Sequence, residues 1–315
     1  MRGRFLALSV PTLTLPSPSP WEGEGEVSLT ARAPADRPVV MKTLSPEAVA
    51  QYRRDGFYFP LRVLSPEEAA GYRARLEAVE GERGGPLGGE LRHKGHLLFT
   101  WLDELIRHPR VLDAVEDILG PNLLCWSSSF FIKEARDPAF VSWHQDSTYW
   151  GLREPDVVTA WVAFSESSIT SGALRMISGT HTEQVAHRDT FAPGNLLSRG
   201  QEIMVEVDEA RAVDVVLHPG EMSLHHVRMF HGSPPNRSAD RRIGYAIRYI
   251  PTHVRQVAGA RDTATLVRGV DAYHHFDPEE PPAADLDPAA RARHAAIMQR
   301  QGELLYRGTT AERFR

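Results

Sequence analysis

Leu123-Leu124-Cys125-Trp126-Ser127-Ser128-Ser129-Phe130-Phe131-Ile132-Lys133 is a run of aliphatic, aromatic and small residues without Gly or Pro, and it reads as a strand. From Asn122 to about Pro251 such runs recur, punctuated by Gly, Pro, Asn and Asp. Val157 to Phe164, Leu174 to Ile177, Ala212 to Leu217 and Ile243 to Ile250 are further expected strands. Many short strands with turn punctuation predict an antiparallel sandwich or barrel, of which the jelly roll is one common form.

Helices flank this region. Ser45-Pro46-Glu47 reads as an N-cap, a proline at the first helical position and an acidic first turn, and Ser65-Pro66-Glu67-Glu68 repeats the signal. Ala69, Tyr72, Leu76 and Val79 supply apolar positions at helical spacing. A third helix is expected from about Pro109 to Leu119, stopped by Gly120-Pro121. After Pro278, Pro281 and Pro282 the tail restarts as a helix, with Asp287 as cap and Pro288 at its first position. The whole is expected to be mainly β with flanking helices. Residues 1–40 carry Pro11, Pro16, Pro18 and Pro20, then Glu22, Glu24 and Glu26 without helical period. This stretch is expected to be disordered, or a mis-assigned extension ahead of a true start at Met41.

Composition narrows the partners. In 315 residues, 42% are hydrophobic and 24% charged, as in a globular chain. A formal charge of −5 argues against nucleic acid, whose binding needs a clustered excess of Lys and Arg. A lone Cys125 forms no intramolecular disulfide, which fits a cytoplasmic address. No apolar run approaches the roughly 20 residues of a membrane span. A small-molecule substrate is expected, with neither nucleic acid nor membrane as partner.

In Trp143-His144-Gln145-Asp146 the His and Asp lie two apart, so on an extended segment both side chains leave one face. The pairing is common by chance and gains weight only from a third ligand. His231, in Phe230-His231-Gly232-Ser233, is the candidate, with His225 and His226 as rivals. Two His and one carboxylate on one side of a metal leave open positions for an oxidant and a co-substrate. Arg242 follows eleven residues after His231, and its guanidinium suits bidentate binding of a carboxylate. Arg237, Arg241 and Arg248 compete for that role. Arg242, Gly244 and Ala246 share a strand face, and the two small residues are expected to leave room for a bound acid.

Trp143 to Leu152, Thr159-Ala160-Trp161-Val162-Ala163, Gly172 to His181, His231-Gly232-Ser233 and Arg241-Arg242-Ile243-Gly244 together resemble the phytanoyl-CoA dioxygenase family of Fe(II)/2-oxoglutarate oxygenases. The resemblance runs from about Leu44 to Val267. It implies a double-stranded β-helix, a cupin-like jelly roll with a core at about 122–251 inside a 41–277 oxygenase domain, followed by a Pro-rich linker and C-terminal helix at 278–315. It implies Fe(II) held by His144, Asp146 and His231, with 2-oxoglutarate and O2 as co-substrates. It implies Arg242 as partner of the 2-oxoglutarate side carboxylate, Ser233 in support, and Trp161, Gln145 and Lys94 near the co-substrate. The implied activity is hydroxylation of a small organic metabolite with release of succinate and CO2.

The sequence departs from the family pattern at Ser178-Gly179-Thr180-His181 and at Ser171-Gly172, both loop signals that bear on specificity more than on reaction type. Tyr149, Trp150, Phe131, His226 and Met204 are candidates for the substrate mouth. The alternatives are a related oxidative tailoring enzyme, such as a desaturase or cyclase, and a non-catalytic metal-binding jelly roll. Halogenation fits less well, because Asp146 fills the position a halide would need. Deleting residues 1–40 should leave turnover and melting temperature unchanged; a large drop in either would show that the segment packs on the domain.

Overall fold

The computed structural model describes residues 41–257 and 259–306; the expectation for residues 1–40 falls outside the described residues. The N-terminal helices start where their caps predict. In α1 (Pro46–Asp55) the Ser45 hydroxyl accepts from the Ala48 amide, and α2 (Pro66–Arg83) has a full capping box between Ser65 and Glu68. Between them lies β1 (Phe57–Arg62). α3 (Thr100–Ile106) was not expected, since seven residues without a capping side chain leave little pattern to read. α4 (Pro109–Leu119) follows as expected.

The strands are β2 (Leu123–Lys133), β3 (Val141–His144), β4 (Val158–Ala163), β5 (Leu174–Ile177), β6 (His187–Asp189), β7 (Gln201–Ile203), β8 (Ala212–Val215), β9 (Glu221–His226), β10 (His231–Ser233), β11 (Arg242–Pro251), β12 (Thr263–Arg268) and β13 (Asp277–Pro278). The major sheet has the order β1-β9-β4-β11-β2-β12-β13, and the minor sheet β3-β10-β5-β8; β6 and β7 form a separate hairpin. All pairings are antiparallel except that of β12 with β13. The expected jelly-roll architecture is present, and the major sheet extends beyond 122–251 through β1 at one edge and β12 with β13 at the other.

Both faces of the major sheet are buried, for different reasons. Val158, Ala160 and Val162 on β4, Met222 and Leu224 on β9, and Ile243, Tyr245, Ile247 and Tyr249 on β11 pack in one apolar cluster with helices α1 to α4. The alternate residues face the minor sheet, where Trp161, Ala163 and Ala246 meet Leu174, Met176 and Val215. Strands covered on both faces read as continuous apolar runs. The exceptions are the informative residues: His225, Arg242 and Arg248 occupy inward positions and are buried although charged or polar.

The tail is pinned to this body. Buried Glu279 accepts from Lys94 Nζ, from the Thr263 hydroxyl at 2.6 Å and from the Thr265 hydroxyl at 2.6 Å. α5 (Pro288–Leu305) then begins under the Asp287 cap. No helix among the described residues is long and apolar enough to cross a membrane.

Asp117 on α4 ties the entry of α1 to the sheet-covering layer, accepting the Lys42, Thr43 and Leu44 amides at 2.9, 2.9 and 2.7 Å. Asp117→Ala leaves three donors without their carboxylate and should cost about 2–3 kcal/mol in urea unfolding. A loss below about 0.5 kcal/mol would mean that water replaces the carboxylate freely.

Candidate active site

The pairing of β3 with β10 sets His231 directly opposite His144. Directly opposed residues of an antiparallel pair project on one face of the sheet, and the two imidazole centroids are 4.0 Å apart. Gln145 continues the extended backbone past β3, so Asp146 returns to the face that His144 uses. His144 Nε2 lies 3.4 Å from Asp146 Oδ1. One ligand atom from each of His144, Asp146 and His231 falls within 4.8 Å of the others, and all three residues are buried.

Backbone carbonyls decide how each ring is oriented. His144 Nδ1 donates to Ser142 O at 2.9 Å and to His231 O at 3.1 Å, and His231 Nδ1 donates to Met229 O at 2.9 Å. A carbonyl only accepts, so both Nδ1 atoms carry the proton and both Nε2 lone pairs are free to bind a cation. Burial, with His144 adding to it, pushes His231 well below its ordinary value, so it is neutral at pH 7. Burial acts to raise the Asp146 carboxyl, but the adjoining His144 and His231 imidazoles and the Arg248 guanidinium outweigh it and hold the group well below the usual carboxylate range. A neutral His231 and an ionised Asp146 are states that suit binding of a divalent metal.

The triad lines a pocket of about 370 Å³, open mouth included, whose walls also take in Trp161, Ser233, Arg242 and Arg248. Arg242 Nη1 donates to Gly172 O at 2.7 Å, while Nε has no partner. Gly172 is required there: at φ +76° a Cβ would meet Pro234 O at 2.3 Å. Lys133, directly opposite Arg242 on β2, donates to the Ser233 hydroxyl at 2.7 Å. Burial, and then the charge of Arg242, pushes Lys133 down to about 6. Burial likewise pushes Arg242 down to about 10. Among the described residues no carboxylate lies within ion-pair distance of Arg242 or Lys133. Burying a cation costs several kcal/mol unless an anion repays it, so the pocket is built to receive one. Two imidazole nitrogens and a carboxylate at one end, and unpaired cations at the other, fit a divalent metal and a dicarboxylate.

Other expected residues fall differently. Trp161 lines the pocket, with the Arg242 guanidinium carbon 5.4 Å from its ring centre. The room expected beside Gly244 is taken by that indole, which a Cβ would approach to 1.8 Å, whereas Ala246 does line the pocket. Gln145 points away from the triad: its amide donates to Glu183 O and Arg228 O, both at 2.7 Å, and accepts from Gln184 and Val185 at 2.9 Å. Between two residues that share a face, it must take the other. Lys94 is also displaced from the co-substrate end, since its ammonium is held by Thr263 and Glu279. Met204 is 62% exposed, and His226 packs against His181 at 5.3 Å, so neither lines the pocket. Arg241 is engaged by Glu80 and Glu134.

Of the rivals, His225 does reach the site. Its Nε2 lies 4.0 Å from Asp146 Oδ2, both ring nitrogens lack partners, and burial pushes it down to about 4. Thr159, unassigned by the sequence, and Arg248, named there as a rival of Arg242, also line the pocket, and Lys133 reaches its wall through Ser233. Strand alternation carries the signal for Arg248, which continues the face of Arg242 and Ala246.

The phytanoyl-CoA dioxygenase (PhyH) family model matches residues 52–244. A probable alpha-ketoglutarate-dependent hypophosphite dioxygenase of Stutzerimonas stutzeri is 31% identical over 159 residues, 48% of this chain and 54% of that protein. The chain spans about half the length of the curated relatives it matches. Among solved structures, the non-heme monooxygenase ThoJ superposes with a TM-score of 0.74 at 36% identity, over 82% of this chain and 97% of that one. CytC3 with Fe(II) and alpha-ketoglutarate gives a TM-score of 0.57 at 28% identity, over 74% of this chain and 92% of that one. A family model that spans well over half of the chain, together with this fold, leads to one conclusion: the chain belongs to the phytanoyl-CoA dioxygenase family.

Proposed function

We propose that this chain is an Fe(II)/2-oxoglutarate-dependent dioxygenase that hydroxylates a small organic metabolite. His144, Asp146 and His231 hold the metal, and Arg242, supported by Ser233 and Lys133, receives the side carboxylate of 2-oxoglutarate. The observation that carries the reading is the conjunction of a two-His, one-carboxylate triad with buried cations that have no carboxylate of their own. Trp161 walls the pocket beside Arg242. The domain is read as 41–277, followed by a Pro-rich linker and C-terminal helix at 278–315. A cytoplasmic location is part of the reading and is supported by the buried, free Cys125.

When bound, the metal and co-substrate supply the oxidising power: one O2 is consumed, 2-oxoglutarate becomes succinate and CO2, and a substrate C–H becomes C–OH. The chain's own work is positional. The carbonyls of Ser142, His231 and Met229 lock the two ring tautomers, so the triad presents lone pairs without rearranging. Arg242 fixes the diacid by its far end, and burial excludes water from the pocket. The Asp146 carboxylate occupies the third ligand position, which favours hydroxylation over halide transfer.

Replacing His144, Asp146 or His231 by Ala should reduce bound iron and lower succinate formation by more than about 100-fold while circular dichroism is unchanged. Retained iron and turnover would remove the triad from the mechanism.

Lys133 adds a pH test. Its value of about 6 lies below that of a free lysine, so at pH 7.5 the free pocket holds it mostly uncharged, and an incoming dianion favours the charged form. Binding of 2-oxoglutarate should therefore take up protons at pH 7.5 and tighten as pH falls from 8 towards 6. Calorimetry in buffers of different ionisation heat measures the uptake. Lys133→Met should abolish it and weaken binding by roughly tenfold; unchanged uptake would exclude Lys133.

A further inference from the structure

Arg248 stands where two cavities meet. It shares the metal pocket with the triad, and together with Phe131 and Asp146 it also lines a larger cavity of about 950 Å³, open mouth included. Register puts it there: Arg248 pairs with Ser127 on one side and Thr159 on the other, on the inward face of β11. The residue is 7% exposed. Its Nη1 donates to the Ser129 hydroxyl at 3.0 Å, and its Nε has no partner. Among the described residues no carboxylate lies within ion-pair distance of it.

The charges already assigned do not cover it. A divalent metal, the Asp146 carboxylate, a dianion and the Arg242 guanidinium neutralise one another, and the Arg248 charge is left over; Lys133 adds to the excess. The other acid of the large cavity, Asp262, is taken up by Trp126 Nε1 at 2.9 Å, the Thr263 amide at 2.8 Å and Gln301. A buried guanidinium with free N–H groups calls for an oxyanion in its plane.

The surroundings of Arg248 are flat and apolar. Its guanidinium carbon lies 5.2 Å from the Trp150 ring centre and 6.0 Å from that of Phe131, and Trp150 stands 5.0 Å from Trp126. Aromatic walls of this kind receive an apolar or planar body, while a few polar groups fix its orientation.

Resting on the oxygenase reading above, we propose that the substrate is a small carboxylic acid with an apolar or aromatic body. Its carboxylate binds Arg248 and its body lies against Trp126, Trp150 and Phe131. Arg248 is thus a specificity-determining residue for the substrate, distinct from the Arg242 anchor of the co-substrate. With its acid end fixed beside Asp146, such a molecule presents carbons close to its carboxylate to the metal.

The test uses the full chain loaded with Ni(II), which supports binding without turnover, and saturated with 2-oxoglutarate so that the Arg242 end is filled. Calorimetry compares benzoate, phenylacetate and 3-phenylpropionate, each with its amide. At least one acid should bind about tenfold or more tighter than its amide. Arg248→Gln should erase that preference and Arg248→Lys should keep part of it, each measured with 2-oxoglutarate held saturating for that variant. Acids and amides binding alike, no acid binding, or Arg248→Gln weakening 2-oxoglutarate while sparing the acid preference would each overturn the proposal. The wild-type comparison does not depend on any variant folding. If 2-oxoglutarate fails to bind the Ni(II) wild-type protein, the oxygenase reading falls and this proposal falls with it; intact co-substrate binding without acid preference sinks this proposal alone.

Discussion

The antiparallel register of β3 against β10 is the constraint on which the site depends. It places His231 opposite His144 although 87 residues separate them, and it brings the His231 carbonyl to 3.1 Å from His144 Nδ1. A slip of one residue would turn one imidazole to the opposite face of the minor sheet and dismantle the triad. Fixing that register falls to the rest of the sandwich. β10 is held on its other side by β5, where His231 stands opposite Met176, and Met176 is buried in the core between the two sheets.

The second feature is electrostatic. A fold that buries Arg242 and Arg248 on inward strand faces without carboxylate partners carries a standing desolvation cost. By contrast, buried Lys94 and Glu279 satisfy each other, with His96 also reaching Glu279 at 3.2 Å. The contrast separates structural from functional charge. The paired set ties the tail to the domain, and the unpaired set carries the proposed anion sites. It also accounts for the misplacement of Lys94, since a buried lysine matches a co-substrate contact in sequence while its actual anion, Glu279, lies 185 residues away.

Much of this was legible in the chain. The cap signals at Ser45, Ser65 and Asp287, the limits of β2 and β5, and the spacing of His144, Asp146, His231 and Arg242 rest on local rules that tertiary structure did not override. What escaped depends on pairing. Lys133 reaches Ser233 because it lies opposite Arg242, and His225 enters because β9 pairs with β4 in a register that turns it inward. Neither register can be read from one strand alone. Gln145 was readable in principle, because the alternation that joins His144 to Asp146 excludes the residue between them. α3 and the strands β1 and β12 were missed because short elements buried by neighbours show little periodicity of their own.

The central claim is that the triad and the Arg242 pocket act on one bound unit, a metal chelated by an oxo acid whose far carboxylate is held by the guanidinium. The most direct measurement is the visible absorption spectrum of the purified protein under anaerobic conditions as Fe(II) and then 2-oxoglutarate are added. The account predicts a metal-to-ligand charge-transfer band that appears only with both present and is lost in Arg242→Ala at the same co-substrate concentration. No band in the wild-type protein, or a band of the same intensity in Arg242→Ala, would contradict it.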